Sequence, residues 1–326
     1  FNDAGASQVP MNYDPQKGIV SGGGAHHADD PVTITATPND GFRFVRWEDI
    51  NGTVTTGNSY SFTMPMYDTA FTAVFDTNTY DITYTVQNDT RETIGTGLPM
   101  GTVTLVGRHM HFLNDVLEAT AAHGYTFSGW YSNGTLVSEA NPYIFSPESD
   151  SVFEARFTVN NYTVSTVSAN TVMGSVAATA PVEYLGTVEI SATAEYGYHF
   201  VHWTEADTVY SRTADTVVLA TDNRVLTAVF DFSQYTFVAT CDTNMGIVTP
   251  DTTTDNYLTE ITTTAEAKEG YHFIGWADQV ENPVRSDTLK ANTVITALFD
   301  TNAYNVTVNA NPVEGSVEGP ATNKHF

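Results

Sequence analysis

Gly41-Phe42-Arg43-Phe44-Val45-Arg46-Trp47 is the stretch that decides how this chain folds, because it returns three more times. The later copies are Gly124-Tyr125-Thr126-Phe127-Ser128-Gly129-Trp130, Gly197-Tyr198-His199-Phe200-Val201-His202-Trp203 and Gly270-Tyr271-His272-Phe273-Ile274-Gly275-Trp276, and together the four use every tryptophan in the chain. About 25 residues later each copy closes on Ala73-Val74-Phe75, Ala155-Arg156-Phe157, Ala228-Val229-Phe230 or Ala297-Leu298-Phe299, and a tyrosine follows (Tyr80, Tyr162, Tyr235, Tyr304). A third landmark keeps the same register: Gly18-Ile19-Val20, Gly101-Thr102-Val103, Gly174-Ser175-Val176, Gly246-Ile247-Val248 and, opening a fifth copy, Gly315-Ser316-Val317. Successive tryptophans lie 83, 73 and 73 residues apart. That period is longer than most solenoid repeats and matches the smallest domains that fold alone.

The repeats divide the chain into residues 1–77, 78–158, 159–232 and 233–301, with 302–326 the start of a truncated fifth copy. Within a copy, Val32-Thr33-Ile34-Thr35-Ala36, Val188-Glu189-Ile190-Ser191-Ala192 and Ile261-Thr262-Thr263-Thr264-Ala265 alternate in the manner of half-buried strands. Heavy threonine use suits such strands, since a β-branched side chain packs on a pleated surface while its hydroxyl stays wet. Turn signals such as Pro38-Asn39-Asp40-Gly41, Asn51-Gly52 and Asn133-Gly134 separate them, giving roughly five short strands per copy. A short helix is expected only over Asn114 to Ala122, where Val116, Leu117 and Ala121 could share a face. The fold expected is mainly β, tandem small modules strung as beads. No Gly/Ser- or Pro-rich linker interrupts junctions such as Phe75-Asp76-Thr77-Asn78-Thr79-Tyr80, so neighbours are expected to be closely apposed. Compact domains of this size are ~30 Å across, so four in line would give a rod on the order of 110 Å.

Charge narrows the partners. The 326 residues carry 38 acidic against 12 basic side chains, a formal net charge of −26. Such a field repels phosphate backbones and anionic lipid, so no nucleic acid partner is expected, while solubility and cation attraction are favoured. The single cysteine, Cys241, excludes an internal disulfide framework and lies in an apolar strand-like run where an inert buried thiol is the expectation. No apolar run reaches the ~18 residues of a membrane span and no signal-peptide pattern opens the sequence, so direct membrane insertion by this stretch is not expected. Starting at Phe1 and ending inside a repeat, it reads as part of something longer.

These motifs resemble the divergent internalin-type B repeat, also called the Listeria–Bacteroides repeat, in a Bacteroidetes-like form. The resemblance rests on Gly-Tyr-X-Phe-X-X-Trp, the terminal Ala-Val-Phe and the Val/Thr-rich strands, and it covers the chain from about Val9 onward. It implies small β-grasp-like or related β-rich modules repeated within large exported bacterial surface proteins, and it brings no catalytic residue. The second copy departs from the pattern, with an enlarged segment containing Gln87-Asn88-Asp89-Thr90-Arg91-Glu92 and with His109-Met110-His111 in place of a simple turn.

Phe44, Trp47, Phe127, Trp130, Phe200, Trp203, Phe273 and Trp276 are expected to form the cores, with Gly41, Gly124, Gly197 and Gly270 as turn formers. The competing reading is a row of exposed rings stacking on sugars, with Phe44 inward and Trp47 at a rim or the reverse. His26-His27-Ala28-Asp29-Asp30 and His109-Met110-His111 carry metal-ligating atoms without a complementary ligand set, and His199, His202 and His272 occupy positions held by Arg43 and Arg46 in the first copy. No cofactor is expected, unless calcium: Asp76 and Asn78, and Asp300 and Asn302, sit at identical junctional positions with oxygen donors a hard cation accepts, though the same residues suit turns. Asp followed by Ser or Thr and an apolar residue recurs, which makes Thr69, Ser151, Thr208, Thr216 and Thr288 candidates for O-glycosylation of a Bacteroidetes type, against a strand-opening turn.

Enzyme signatures such as Gly-X-Ser-X-Gly, a phosphate loop or His-Glu-X-X-His do not occur, and a ~70-residue module leaves little room for an ordinary cleft. The expected role is a non-catalytic, extracellular (cell-surface or secreted) stalk or fibrous region, whose partners are the other domains of the same larger protein. Two alternatives stand beside it. One is an adhesin whose repeats bind host protein or glycan, with the second copy the prime suspect. The other is a filament subunit that self-associates through the unpaired edge of Tyr304 to Val317.

Overall fold

The computed structural model describes residues 5–91, 97–307 and 315. The chain is all-β, with no helix among the described residues. It divides into two compact units, Phe1–Asn161 with Glu183–Leu185, and Tyr162–Val182 with Gly186–Phe326. The first unit contains two hydrophobic cores, centred on Trp47 and Trp130, and the second contains two more, centred on Trp203 and Trp276.

In the first, second and fourth modules the core lies between a four-stranded and a three-stranded sheet; in the third, the layer facing the four-stranded sheet is split into two pairs, Gly174–Val176 with Ala192–Ala194 and Thr187–Ile190 with Thr216–Leu219. In the first module one sheet has the order Met11–Asn12, Phe71–Thr77, Phe42–Asp49, Gly52–Thr55 and the other Gly18–Ser21, Pro31–Pro38, Ser59–Thr63. The strand that opens a module thus lies beside the strand that closes it, and the two run parallel. The same parallel pair joins Ile82–Val86 to Ser151–Val159, Val164–Ser168 to Arg224–Phe232, and Gln234–Cys241 to Thr293–Thr301. The fourth module alone has seven strands. Roughly five were expected; Thr252–Asn256 is one of those not counted, since its Thr-Thr-Thr-Asp-Asn run has no apolar alternation to read.

The signature spacing has a structural cause. Two residues three apart on a regular strand face opposite sides. Here the pairing of the aromatic strand with the closing strand shifts register between Phe44 and Arg46, Phe127 and Gly129, Phe200 and His202, and Phe273 and Gly275. That β-bulge adds one residue and returns the tryptophan to the side of its phenylalanine. Both rings therefore belong to the core, with centroids 5.8, 5.2, 5.8 and 5.9 Å apart. The tryptophans are at most 2% exposed, the phenylalanines half-buried against them, and neither is left at a rim. Each indole N–H is satisfied by a carbonyl, of Asn58, Ala140, Ala214 or Asn282. Burial of a large apolar side chain contributes about 1.5–3 kcal/mol, so one Phe–Trp pair is a large share of so small a core.

The other landmarks meet in space. The glycine of each of the first four Gly-X-Val strings lies under the phenylalanine of Ala-X-Phe, so a Cβ at Gly18, Gly101, Gly174 or Gly246 would overlap the ring of Phe75, Phe157, Phe230 or Phe299. The helix expected over Asn114 to Ala122 is instead the strand Asp115–Ala121, paired with Gly101–Val106 and Tyr143–Phe145. Its inward residues are Asp115, Leu117 and Ala119, so the alternation was hidden by a carboxylate in a core position. Asp115 is fully buried and accepts from the backbone N–H of His109, whose ring nitrogen Nδ1 lies 2.5 Å from its other oxygen.

Candidate functional site: the module joints

A polar geometry recurs at the turn glycines. Gly41 has φ 79°, a conformation glycine adopts without strain, and its carbonyl accepts the N–H of Asn78 at 2.9 Å. The Asn78 carbonyl accepts the N–H of His111 at 3.0 Å, and the rings of His111 and Phe112 cover Gly41 so closely that a Cβ would overlap them. Tyr80 Oη lies 3.0 Å from His111 Nδ1, and Phe112 stacks at a tilt on Phe42.

Gly124, also in the first unit, repeats this arrangement. Its carbonyl accepts from Asn160, the Asn160 carbonyl accepts from Tyr184, and the Tyr184 ring covers the glycine between His123 and Tyr125. Within the second unit Gly197 accepts from Ser233, Ser233 from Tyr257, and the Tyr257 ring covers the glycine between Tyr196 and Tyr198. Tyr196 Oη adds a bond to the Lys290 carbonyl. At Gly270 the first rung recurs, from Asn302 N–H at 2.8 Å.

A backbone kink sets each ring in place. The residue on the C-terminal side of the docked His111, Tyr184 or Tyr257 has positive φ: Phe112 68°, Leu185 60° and Leu258 69°. Bulky residues rarely adopt that conformation, so the three concordant outliers mark a shared constraint. The first module has the same kink at Asp29, φ 69°, but Ala28 stands where the others carry a ring. Tyr184 and Tyr257 escaped the sequence reading, and His111 entered it only as a possible metal ligand in a divergent turn. Their signal was a ring ten or eleven residues beyond the Gly-X-Val glycine, in a segment without other periodicity.

The enlarged segment of the second module serves the joint at Gly124. Asn88–Asp89 pairs with Leu98–Pro99, which carries Arg91 to the Glu183–Leu185 segment of the same unit. Arg91 holds Asp89 through both carboxylate oxygens, donates to Glu183 at 3.0 Å and to the Tyr184 carbonyl at 3.1 Å, while Tyr125 Oη donates to Asp89 at 2.7 Å. Burial pushes the Asp89 carboxyl up, but the bonds from Arg91 and Tyr125 outweigh it and hold it at about 2. Burial and the bond to Asp89 push the Tyr125 hydroxyl up, and the bond to Asp89 pushes the Arg91 guanidinium up. Glu92 lies outside the described residues.

The remaining candidates are dispersed. Asp76 accepts from Arg43 and from Thr77 N–H, and its pKa is lowered first by the Arg43 bond; Asp300 accepts from Thr301. Asn78 serves the joint through its backbone, and Asn302 Oδ1 faces His272 Nδ1 at 3.2 Å. Among the described residues no three His, Cys, Asp or Glu side chains form a metal-ligating group. His26 and His27 lie on a strand paired with Ala6–Val9, and the His27 N–H is accepted by Asp30. His199 and His202 lie on the aromatic strand of the third module, opposite Asp231 and Val229. Cys241 is half-buried, and burial raises its thiol pKa.

The Asp-Ser/Thr string proves to be several different structures. Asp68 and Asp150 accept the N–H of Gln8 and Asp81 at the start of the opening strand, and Asn223 and Asn292 do the same for Thr163 and Thr236. Asp207-Thr208 is instead a hairpin turn, with φ 63° at Asp207, and Thr288 ends a strand. Thr208 and Thr288 are exposed; Thr69, Ser151 and Thr216 are half-buried and line open grooves of about 460, 510 and 480 Å³. The proposed edge over Tyr304 to Val317 falls mostly outside the described residues, at 308–314 and 316–317.

The divergent InlB B-repeat domain matches four times, over residues 10–79, 85–161, 162–234 and 236–303. No curated protein matches the chain. Among solved structures, the Bacillus anthracis TIE protein aligns over 90% of this chain at 10% identity, with a TM-score of 0.25, and the matched part spans 56% of that protein's chain.

Proposed function

The chain belongs to the divergent InlB B-repeat domain family, and from that membership we propose that it serves as a non-catalytic spacer within an exported bacterial surface protein. The observation that carries this reading is the joint. A glycine, two backbone bonds and a docked ring recur at Gly41, Gly124 and Gly197 although the side chains around them differ. Their common property is the way one repeat is fastened to residues of the next. The signature aromatics support the same reading, since rings buried in cores are not available for stacking on a sugar. An arginine in each module is likewise engaged, in the pairs Arg46–Glu48, Arg156–Glu154, Arg224–Glu205 and Arg285–Asp278.

An adhesin would be expected to expose what makes its second repeat different. Asp89 and Arg91 instead contact Tyr125, Glu183 and Tyr184 of the same chain. The test is display on intact cells of the producing bacterium. Antibody raised against this stretch should label unpermeabilised cells, and brief protease treatment should remove the label while the cells stay whole. Label that appears only after permeabilisation would refute the proposal.

A further inference from the structure

We propose that each module is a shear clamp, so that the array bears tension along the chain as well as filling distance. The argument starts from direction. The opening and closing strands of a module are hydrogen-bonded neighbours and run parallel. Tension applied through the chain draws the first residue of the opening strand and the last residue of the closing strand apart along the strand axis. Parallel strands carry evenly spaced bonds, so sliding loads the whole ladder together instead of breaking it one rung at a time. Because the modules are in series on one covalent chain, each must carry the full load.

The clamps differ in length. Five residues are in register in the second module, Ile82↔Ser151 to Val86↔Ala155. Five are in register in the third, Val164↔Arg224 to Ser168↔Ala228, and five in the fourth, Phe237↔Thr293 to Cys241↔Ala297. Extra bonds lengthen them: Gln87 donates its N–H to the Ala155 carbonyl and accepts from Phe157, and Ala169 donates to Ala228. In the fourth, Thr240 Oγ1 lies 2.9 Å from Thr296 Oγ1 across the clamp. The first module registers Met11↔Phe71 and Asn12↔Thr72, and beyond them the Phe71 N–H donates to the Pro10 carbonyl and the Thr69 N–H to the Gln8 carbonyl, so its ladder is interrupted rather than absent before Met11. Its opening strand is broken at Pro10, which has no N–H and stands where the other copies have Thr83, Ser165 and Val238.

The spacer reading supplies the physiological setting for this inference, but the two fail separately, one on cells and the other on purified protein. The experiment is single-molecule pulling of the whole chain by its two ends, since forced unfolding reports the barrier to unfolding. Unfolding a module of about 70 residues frees roughly 250 Å of chain at about 3.6 Å per residue. The expected trace has one event at lower force than the other three, and Pro10→Thr, which supplies the missing N–H to the ladder, raises that event toward the others. A second measurement moves one handle to Asp207, in a hairpin turn of the third module, so that its opening strand is no longer pulled against its closing strand. The high-force event of that module should then disappear, while the second module, still pulled through both ends, keeps its own. Four events of indistinguishable force, no change in Pro10→Thr, or a third-module force independent of handle position would each overturn the proposal.

Discussion

At the residue scale, a polar group in an apolar position decides local stability, and its sign depends on whether it has a partner. Thr263 occupies the inward position held by Ile34, Leu117 and Ile190, is fully buried, and has a hydroxyl without a hydrogen-bond partner. Removing an unpaired buried hydroxyl at nearly constant shape is favourable, so Thr263→Val should stabilise the fourth module by about 1 kcal/mol. The urea midpoint should rise with an unchanged slope; a midpoint that falls would mean the hydroxyl is satisfied. Asp89 is the opposite case. Its folded pKa of about 2 is below the ordinary 3.8, so the stabilisation is complete above pH ~3.8 and is lost as pH falls toward 2. The shift corresponds to about 2 kcal/mol. Asp89→Asn should lower stability at pH 7, and the gap from wild type should narrow over that acid window; a gap constant from pH 5 to pH 2 would contradict the assignment. Thr263 could be seen in the sequence as a departure from its copies. Asp89 could not, because Tyr125, which donates to it, lies 36 residues away, and Arg91, which holds it, is itself engaged by Glu183, 92 residues further along the chain.

At the element scale, the bulge and the joint carry the design. Deleting Val201 removes the extra residue between Phe200 and His202 and should turn Trp203 away from its core, leaving the third module unfolded. Folded protein with native tryptophan emission from that module would contradict the bulge account. At the joint, Gly197→Ala adds a Cβ at φ 88° where the Tyr257 ring lies. Backbone strain alone costs about 1 kcal/mol and the overlap adds to it, so the second unit should lose at least that much in denaturant. Tyr257→Ala should restore part of the loss in the double variant, and strictly additive effects would show that the contact is not shared. The copies made Gly197 and Trp203 legible as landmarks. The spacing Phe-X-X-Trp itself held the clue to the bulge, since i and i+3 disagree with strand alternation. The joint was illegible because no docking position keeps both type and spacing: His111 is a different residue type from Tyr184 and Tyr257, and Tyr257 lies eleven residues beyond its glycine where the others lie ten.

At the scale of the whole molecule, the array of four β modules was legible because repetition multiplies weak signals: one Gly-X-Val is uninformative, but five in register with four Ala-X-Phe strings are not. The pairing of opening and closing strands was hidden, because strands such as Ile82–Val86 and Ser151–Val159 are brought together only by the fold. The proposed spacer role is argued in that same order, from buried signature rings to folded modules to their series along the chain. The most direct test is acrylamide quenching of tryptophan fluorescence in the native chain. One indole per module, each at most 2% exposed, predicts blue-shifted emission and a shallow, linear quenching plot. A red-shifted, readily quenched component would mean that at least one signature ring faces solvent, and it would move the chain from spacer repeats to repeats that bind through an aromatic face.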